Sequence, residues 1–414
     1  MLTYLQESEK LRSKAVNNFV SNVMANIAAI VRIPADIKIP CFLGSDQGCE
    51  KRFISLRNGI LDLEAALNLK GKDGIILPHS PSFFSTSCLP YDYNPKAKPP
   101  SLWMVFLAQA LPELADQELL QEWFGYNLVF DTSFHKFMLL TGDGANGKGV
   151  VFTVLRCLLG DENTSAVGLE QFNASRTFPL SATVGKLANI VEEIGEMDRI
   201  AEGLIKDFVS AGRLTIERKH KDPFEIVPTA RMTLGTNVLP RFKDSSSGIW
   251  RRMLLLSMDS QILDESQQDR RLIDSDFWTR SNELEGIFVW ALQGLLRLRK
   301  NNKFTESVHS REVKCAYFSE LNPTTTYLLD YCAERPGSIT PSRVLYQSYR
   351  AWMQAHGENP LSAGQFASRI RKVFQKVELS KHPRRHLNYR TREWINLSYS
   401  HHEENFGTGG TTDY

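Results

Sequence analysis

The chain has 414 residues, length for two to four domains, and 42% hydrophobic with 23% charged residues is the balance of folded globular protein. A net charge of only +2 gives no bulk sign of a polyanion partner. No apolar run reaches the roughly 18 residues that cross a bilayer, and the six cysteines form no C-x-x-C pair, which excludes a zinc ribbon and a disulfide framework.

Glu7, Glu9, Lys10, Arg12 and Lys14 stand where a signal peptide has its apolar core, so a cytoplasmic setting in a bacterial host, with no membrane partner, is predicted. Residues 1–40 read as mostly helical, with Leu2, Leu5, Val16, Phe19, Val20, Val23 and Ile27 at helix-like spacing. A looser, proline- and serine-rich stretch runs to Pro100. The helical pattern returns over Leu102–Tyr126, broken near Pro112, which makes 1–127 a helical N-terminal region. From 128 to 305 the short apolar runs Phe137–Leu140, Leu187–Val191, Met232–Leu234 and Met253–Leu256 alternate with helical or loop segments. That pattern predicts an α/β core on a mainly parallel sheet. Asn282–Lys300 reads as an amphipathic helix with cations in its last turns. A compact unit at 320–398 follows, and the polar tail 399–414 is expected to be disordered.

Within the core, TGDGANGKGV (Thr141–Val150) follows an apolar run and precedes a helical pattern. Gly142, Asp143, Gly144, Ala145, Asn146, Gly147, Lys148, Gly149 and Val150 have the composition of a phosphate loop. Glycines let successive N–H groups turn inward, the helix N-terminus adds its dipole, and Lys148 reaches the β- and γ-phosphates. Gly149 stands where most such loops carry a Ser or Thr hydroxyl for Mg²⁺. About forty residues on, LANIVEEIGE places Glu192 and Glu193 at a strand end. One carboxylate there suits Mg²⁺, assigned to Glu192, and its neighbour Glu193 suits activation of the attacking water. ATP and Mg²⁺ are therefore the predicted cofactors. Asn237, at the end of the strand ARMTLGTN, can bond the γ-phosphate or that water, and Arg251 and Arg252 precede a fourth strand. A guanidinium offered to a neighbouring subunit's nucleotide is the role that suits either arginine.

Two further segments suit polyanions. GRLTIERKHKDPFEIVP alternates like a hairpin with Arg218, Lys219, His220 and Lys221 at its tip. Between Ser342 and Leu397, eleven Lys/Arg face three acids. Arg369, Arg371 and Lys372 lie on a helical stretch, with Arg384 and Arg385 in a basic wing-like segment after it.

Taken in order, GDGANGKGV, NIVEEIGE, GRLTIERKHKDPFEIVP, TLGTN and WRRMLLL resemble the superfamily 3 helicase module of phage and plasmid DNA primase-helicases, which is related to the poxvirus primase-helicase. Upstream ISLRNGILDLE, LPYDYNP and LQEWFGYNLV, and downstream SRVLYQSYRAWMQAHGENPLSAGQFASRIRKVF, extend the resemblance over about residues 50–398. It implies an AAA+-like ATPase core working as a homo-hexameric ring, followed by a small winged-helix-like DNA-binding domain. It also implies Glu192 and Glu193 as motif B, Asn237 as the motif C sensor, and residues 218–221 as a pore hairpin on single-stranded DNA. Arg252 is its first choice for the finger acting between subunits and Arg251 its second. No stretch suits the primase-polymerase domain that many members carry, so a separate primase or initiator is expected.

The function predicted is an ATP-dependent DNA helicase acting on single-stranded and forked DNA in phage, prophage or plasmid replication. The alternative is a nucleotide-gated DNA-binding assembly protein with weak or no hydrolysis, because of Gly149. A small-molecule P-loop kinase has no use for the two basic segments.

Overall fold

The computed structural model describes residues 17–33, 37–44, 51–68, 75–173, 177–194, 201–218, 221–240, 242, 247–260, 269–386 and 389–400. Three buried cores organise them, two on opposite faces of one sheet and one in the C-terminal unit.

Helix α1 (Asn17–Ile30) opens the described chain. Next comes a small antiparallel sheet of β1 (Phe53–Leu56), β2 (Gly59–Asp62) and β3 (Ile75–Leu77), in that order. Sequence reading leaves this stretch irregular. Its available signal is the pair of short apolar runs flanking Arg57–Asn58, the two residues of the hairpin turn, with Leu56 paired to Gly59. Helices α2 (Ser101–Ala110) and α3 (Leu114–Tyr126) follow, interrupted where Pro112 is expected to break them.

The central sheet holds β4 (Phe137–Thr141), β5 (Thr164–Ser165), β6 (Ala188–Val191), β9 (Arg231–Thr236) and β10 (Met253–Ser257), in the spatial order β10-β4-β9-β6-β5 and parallel throughout. Both faces are covered, so the strands are mostly apolar and their apolar residues alternate between cores. Met138 and Leu140 join helix α4 (Lys148–Leu159) and the tryptophans of α2 and α3 on one face. Phe137 and Leu139 join α5 (Glu202–Val209) and the inserted hairpin on the other. That hairpin, β7 (Leu214–Arg218) with β8 (Lys221–Ile226), lies between β6 and β9 in the chain, as its alternation predicts.

Helix α6 (Leu284–Asn301) crosses α3 at backbone distance. A Cβ on Gly294 would stand 2.2 Å from the Gln121 carbonyl oxygen, and one on Gly125 2.3 Å from that of Ala291. Arg297 spans the crossing, with Nε donating to buried Glu122 (2.8 Å) and Nη1 to Gln121 (2.6 Å). This crossing ties α3 to the core that covers the sheet. Gly294→Val is expected to destabilise the protein by about 1–3 kcal/mol, the usual cost of overpacking, read as a lower thermal midpoint. An unchanged midpoint would mean that the crossing is loose.

Helix α7 (Val308–Leu321) runs along β10 and leads to α8 (Pro323–Tyr331). The C-terminal unit then builds β11 (Cys332–Pro341), α9 (Ser342–Ala355), α10 (Ala363–Val373), β12 (Glu378–Leu379), β13 (Arg384–His386), β14 (Tyr389–Thr391) and β15 (Glu393–Tyr399). Its sheet order is β11-β15-β12, and β13 pairs with β14 as a separate ribbon, the winged-helix-like arrangement expected. The proposed disordered tail lies, apart from Tyr399 and Ser400, outside the described residues. Among the described residues no helix is long and apolar enough to cross a membrane.

Candidate functional site

Strand order places the Gly142–Gly147 loop. From β4 the chain passes to the far side of the sheet, returns through β6 and β9, then crosses β4 to form β10. The crevice at the carboxyl ends of strands beside such a reversal is where α/β sheets bind ligands, and Gly142–Gly147 sits there, between β4 and α4.

The loop is shaped by left-handed backbone. Gly142 (φ +148°) and Gly147 (φ +89°) adopt conformations that side chains disfavour, and a Cβ on Gly147 would meet the Phe106 ring at 2.8 Å. Ala145 holds φ +61° without glycine's freedom, a local strain at the loop tip. Asn146 fastens the loop by donating Nδ2 to the Met258 carbonyl (2.7 Å). Gly149 lies in the first helical turn with a negative φ, and its Cβ position meets only Ile273, at 3.9 Å. Gly149→Ser therefore fits, and ATP turnover is expected to stay the same or rise. A large loss measured in steady state would contradict this local geometry.

Lys148 is 9% exposed. Its Nζ donates to the Gly142 carbonyl, to Asn146 Oδ1 (3.3 Å) and to Asn237 Oδ1 (2.9 Å). All three acceptors are neutral. Burial lowers the lysine's pKa, while the charges of Asp143 and Glu193 pull it back up. The structure thus joins Lys148, Asn146 and Asn237 directly and brings Glu193 within electrostatic reach. Glu192 is placed differently: Arg156 of α4 donates Nη2 to its carboxylate at 2.7 Å. Arg156 gave no signal in the sequence beyond being a helix cation. Among the described residues no cluster of His, Cys, Asp and Glu could hold a metal by itself. A divalent ion in this cleft would draw ligands from phosphate oxygens as well as from carboxylates, as Mg²⁺ commonly does.

Arg251 and Arg252 stand at the opposite end of the sheet. They precede Met253, which pairs with Phe137 at the start of β4, whereas the loop follows Thr141. Five residues of strand, about 17 Å, separate the two levels. Arg252 is committed inside the chain, with Nε on Ser210 Oγ (2.8 Å) and Nη1 on the Gly248 carbonyl (2.7 Å). Burial lowers its pKa first, then the neighbouring Arg251 charge, against Asp207. Arg251 is exposed, and among the described residues its guanidinium has no hydrogen-bond partner.

At the hairpin, Leu214 and Ile216 are buried and Arg218 lies over the Phe224 ring at 4.1 Å. Lys221 pairs with Arg218 in register, and Lys219 and His220 lie outside the described residues. In the C-terminal unit, Ser362 and Gln365 form a capping box that starts α10. Arg371 and Lys372 of that helix are exposed, Arg369 is half-buried, and Arg371 lies over Trp394 at 5.8 Å. On the ribbon, exposed Arg385 directly opposes Arg390, a like-charge pair that an anionic partner would relieve. Arg384 is also exposed, but leans on buried Glu393 at 3.3 Å, which also bonds His386 at 2.8 Å. Arg343, over the Tyr389 ring at 5.0 Å, is a further basic residue here that sequence reading did not single out.

Three family models match successive parts of the chain. One is described as D5 N terminal like (residues 4–112), one as a family of unknown function, DUF5906 (140–252), and one as Poxvirus D5 protein-like (319–406). The chain's first and last matched segments are thus similar to D5-like proteins. A helicase-named protein of Acanthamoeba polyphaga mimivirus is 24% identical over 374 residues, covering 83% of this chain and 37% of that protein. A helicase-named protein of Frog virus 3 (isolate Goorha) is 21% identical over 342 residues, covering 78% of this chain and 34% of that protein. The chain thus spans about a third of the length of these curated relatives. Among solved structures, the A form apo structure of the NrS-1 C terminal region aligns with a TM-score of 0.46 and 14% identity over 91% of each chain. The JCV helicase aligns with a TM-score of 0.30 and 15% identity, over 53% of this chain and 59% of that one.

Proposed function

We propose that this chain is the motor module of an ATP-dependent DNA helicase of superfamily 3 type, working as a homo-hexameric ring in the replication of a phage, plasmid or viral genome. The observation that carries the reading is the bond from Lys148 to Asn237 (2.9 Å), which unites the phosphate loop with the polar end of the neighbouring strand. A buried ammonium with only neutral acceptors is suited to a polyanion, and the glycine turns lead directly into the N-terminus of α4, where helix dipole and first-turn amides favour one.

Magnesium-bound ATP supplies the scissile phosphoanhydride. Backbone amides of 144–150 and the α4 dipole bind the phosphates, and Lys148 neutralises charge on the outer two. Glu193, whose charge Lys148 feels, orients and deprotonates the attacking water. Glu192 supplies the carboxylate toward the metal, a role it could fill together with, or after release from, Arg156. Asn237 exchanges its lysine contact for the γ-phosphate or the water. Residues 218–221 grip single-stranded DNA, and Arg371, Lys372, Arg384 and Arg385 hold backbone phosphates with little base specificity.

The test is ATPase activity with and without single-stranded DNA at saturating Mg²⁺. Strong stimulation is expected, and its absence would support the nucleotide-gated assembly reading that Gly149 motivates. Lys219→Ala combined with His220→Ala is expected to leave turnover measurable and abolish unwinding of a forked duplex. Normal unwinding by that variant would remove the pore assignment.

A further inference from the structure

A second cavity, of about 420 Å³, lies in the seam between edge strand β10 and helix α7, away from the phosphate loop. That is the size of an ordinary small-molecule site. Trp250, Leu255, Phe318 and Leu329 supply apolar wall, and Arg311 and Lys314 supply charge. Lys314 donates Nζ to the Met253 carbonyl at 2.7 Å. Lys136, near enough to depress Lys314 electrostatically, donates to the Arg251 carbonyl. Both ammonium groups therefore rest on backbone oxygens, and exposed Glu306 is the acid among the lining residues. Burial first, and Lys136 second, bring the Lys314 pKa down to about 8. The cavity thus joins a largely apolar wall to the half-buried ammonium of Lys314, which rests on a neutral oxygen and is only partly offset by the exposed Glu306 charge, an arrangement that suits an anion with an apolar body.

We propose that this cavity binds a small amphipathic carboxylate, its apolar body against Trp250, Leu255 and Phe318 and its carboxylate on Lys314. Binding draws Lys314 away from the Met253 carbonyl, at the start of the strand that follows Arg251 and Arg252. The ligand thereby addresses the segment carrying both arginines. This consequence rests on the motor reading, but the binding itself does not.

The experiment uses the full chain at pH 7, below the Lys314 titration, with decanoate as probe and decanol as its uncharged counterpart. Cys315 is exposed and lines the cavity, whereas Cys88 is exposed in the N-terminal region and serves as internal reference. Decanoate is expected to slow iodoacetamide alkylation of Cys315 by at least about fivefold with Cys88 unchanged, and decanol to do so far less. Lys314→Gln is expected to weaken decanoate binding by at least about tenfold, as loss of one charge-assisted hydrogen bond implies, and Lys314→Arg to retain it. Equal slowing at both cysteines, equal protection by decanol, or unchanged affinity in Lys314→Gln would overturn the proposal. The cysteine protection is read on the unmodified chain, so a folding defect in a variant cannot obscure it. Because binding is read without ATP, its failure is separable from failure of the motor reading.

Discussion

Lys148→Ala is expected to drop ATP turnover by about 10²–10³-fold or more, the scale of losing a transition-state donor, while leaving the fold intact. The reason is visible in the lysine's surroundings. Its ammonium is buried among a carbonyl and two amide oxygens, and that burial disfavours the charged form. On the proposed reading the charge would contribute little to the empty protein and much to a bound triphosphate. Thermal melting separates the two: wild type gains about 2.7 kcal/mol with nucleotide at 100 times Kd, whereas Lys148→Ala shows no gain. A variant that melts earlier without nucleotide yet keeps the gain would place the lysine in the scaffold rather than in the site.

The second large effect is expected at Arg251. The sequence resemblance ranks Arg252 ahead of it, and the geometry reverses that order. Arg252 fastens its own chain through Ser210 and Gly248, so Arg252→Ala should cost about 1–3 kcal/mol of stability. Arg251 is exposed at the end of the sheet away from its own phosphate loop. Under the proposed motor reading it would serve a nucleotide on a neighbouring subunit, because its own loop lies at the other end of the sheet. Arg251→Ala should leave the melting temperature unchanged and reduce turnover by about 10³–10⁵-fold, the range for an arginine acting across a subunit boundary. Mixing Arg251→Ala with Glu193→Gln chains should recover activity in rings that pair one intact glutamate with one intact arginine. No recovery at any ratio would mean that the site is completed within one chain.

Much of this was legible in the residues. The short apolar runs correspond to the parallel strands because a sheet covered on both faces needs no polar alternation, and Gly142, Gly147 and Lys148 mark the loop at one strand's end. The hairpin was legible from alternation, and the ribbon from arginines around Tyr389 and Trp394. Contacts between segments distant in the chain were not. Nothing in GANGK indicates that Ala145 takes φ +61°, and neither EEIG nor VLRC announces that Glu192 meets Arg156. Arg231 reads as an ordinary strand cation, yet it is 2% exposed and stacks on Tyr126 at 4.9 Å. Its Nη1 donates to the Leu187 and Thr229 carbonyls, and burial brings its pKa to about 10. Such partners arise from strand order, which local spacing does not encode.

Buried Arg231 also fixes one end of β9, and the other end runs straight into Asn237. The hairpin's return arm enters that strand after four residues, one of them the stiff Pro228. One continuous run of backbone thus joins the hairpin's return arm, through the strand that Arg231 holds at its start, to the amide that touches Lys148. Under the proposed motor reading, cargo and fuel would be linked through that one six-residue strand.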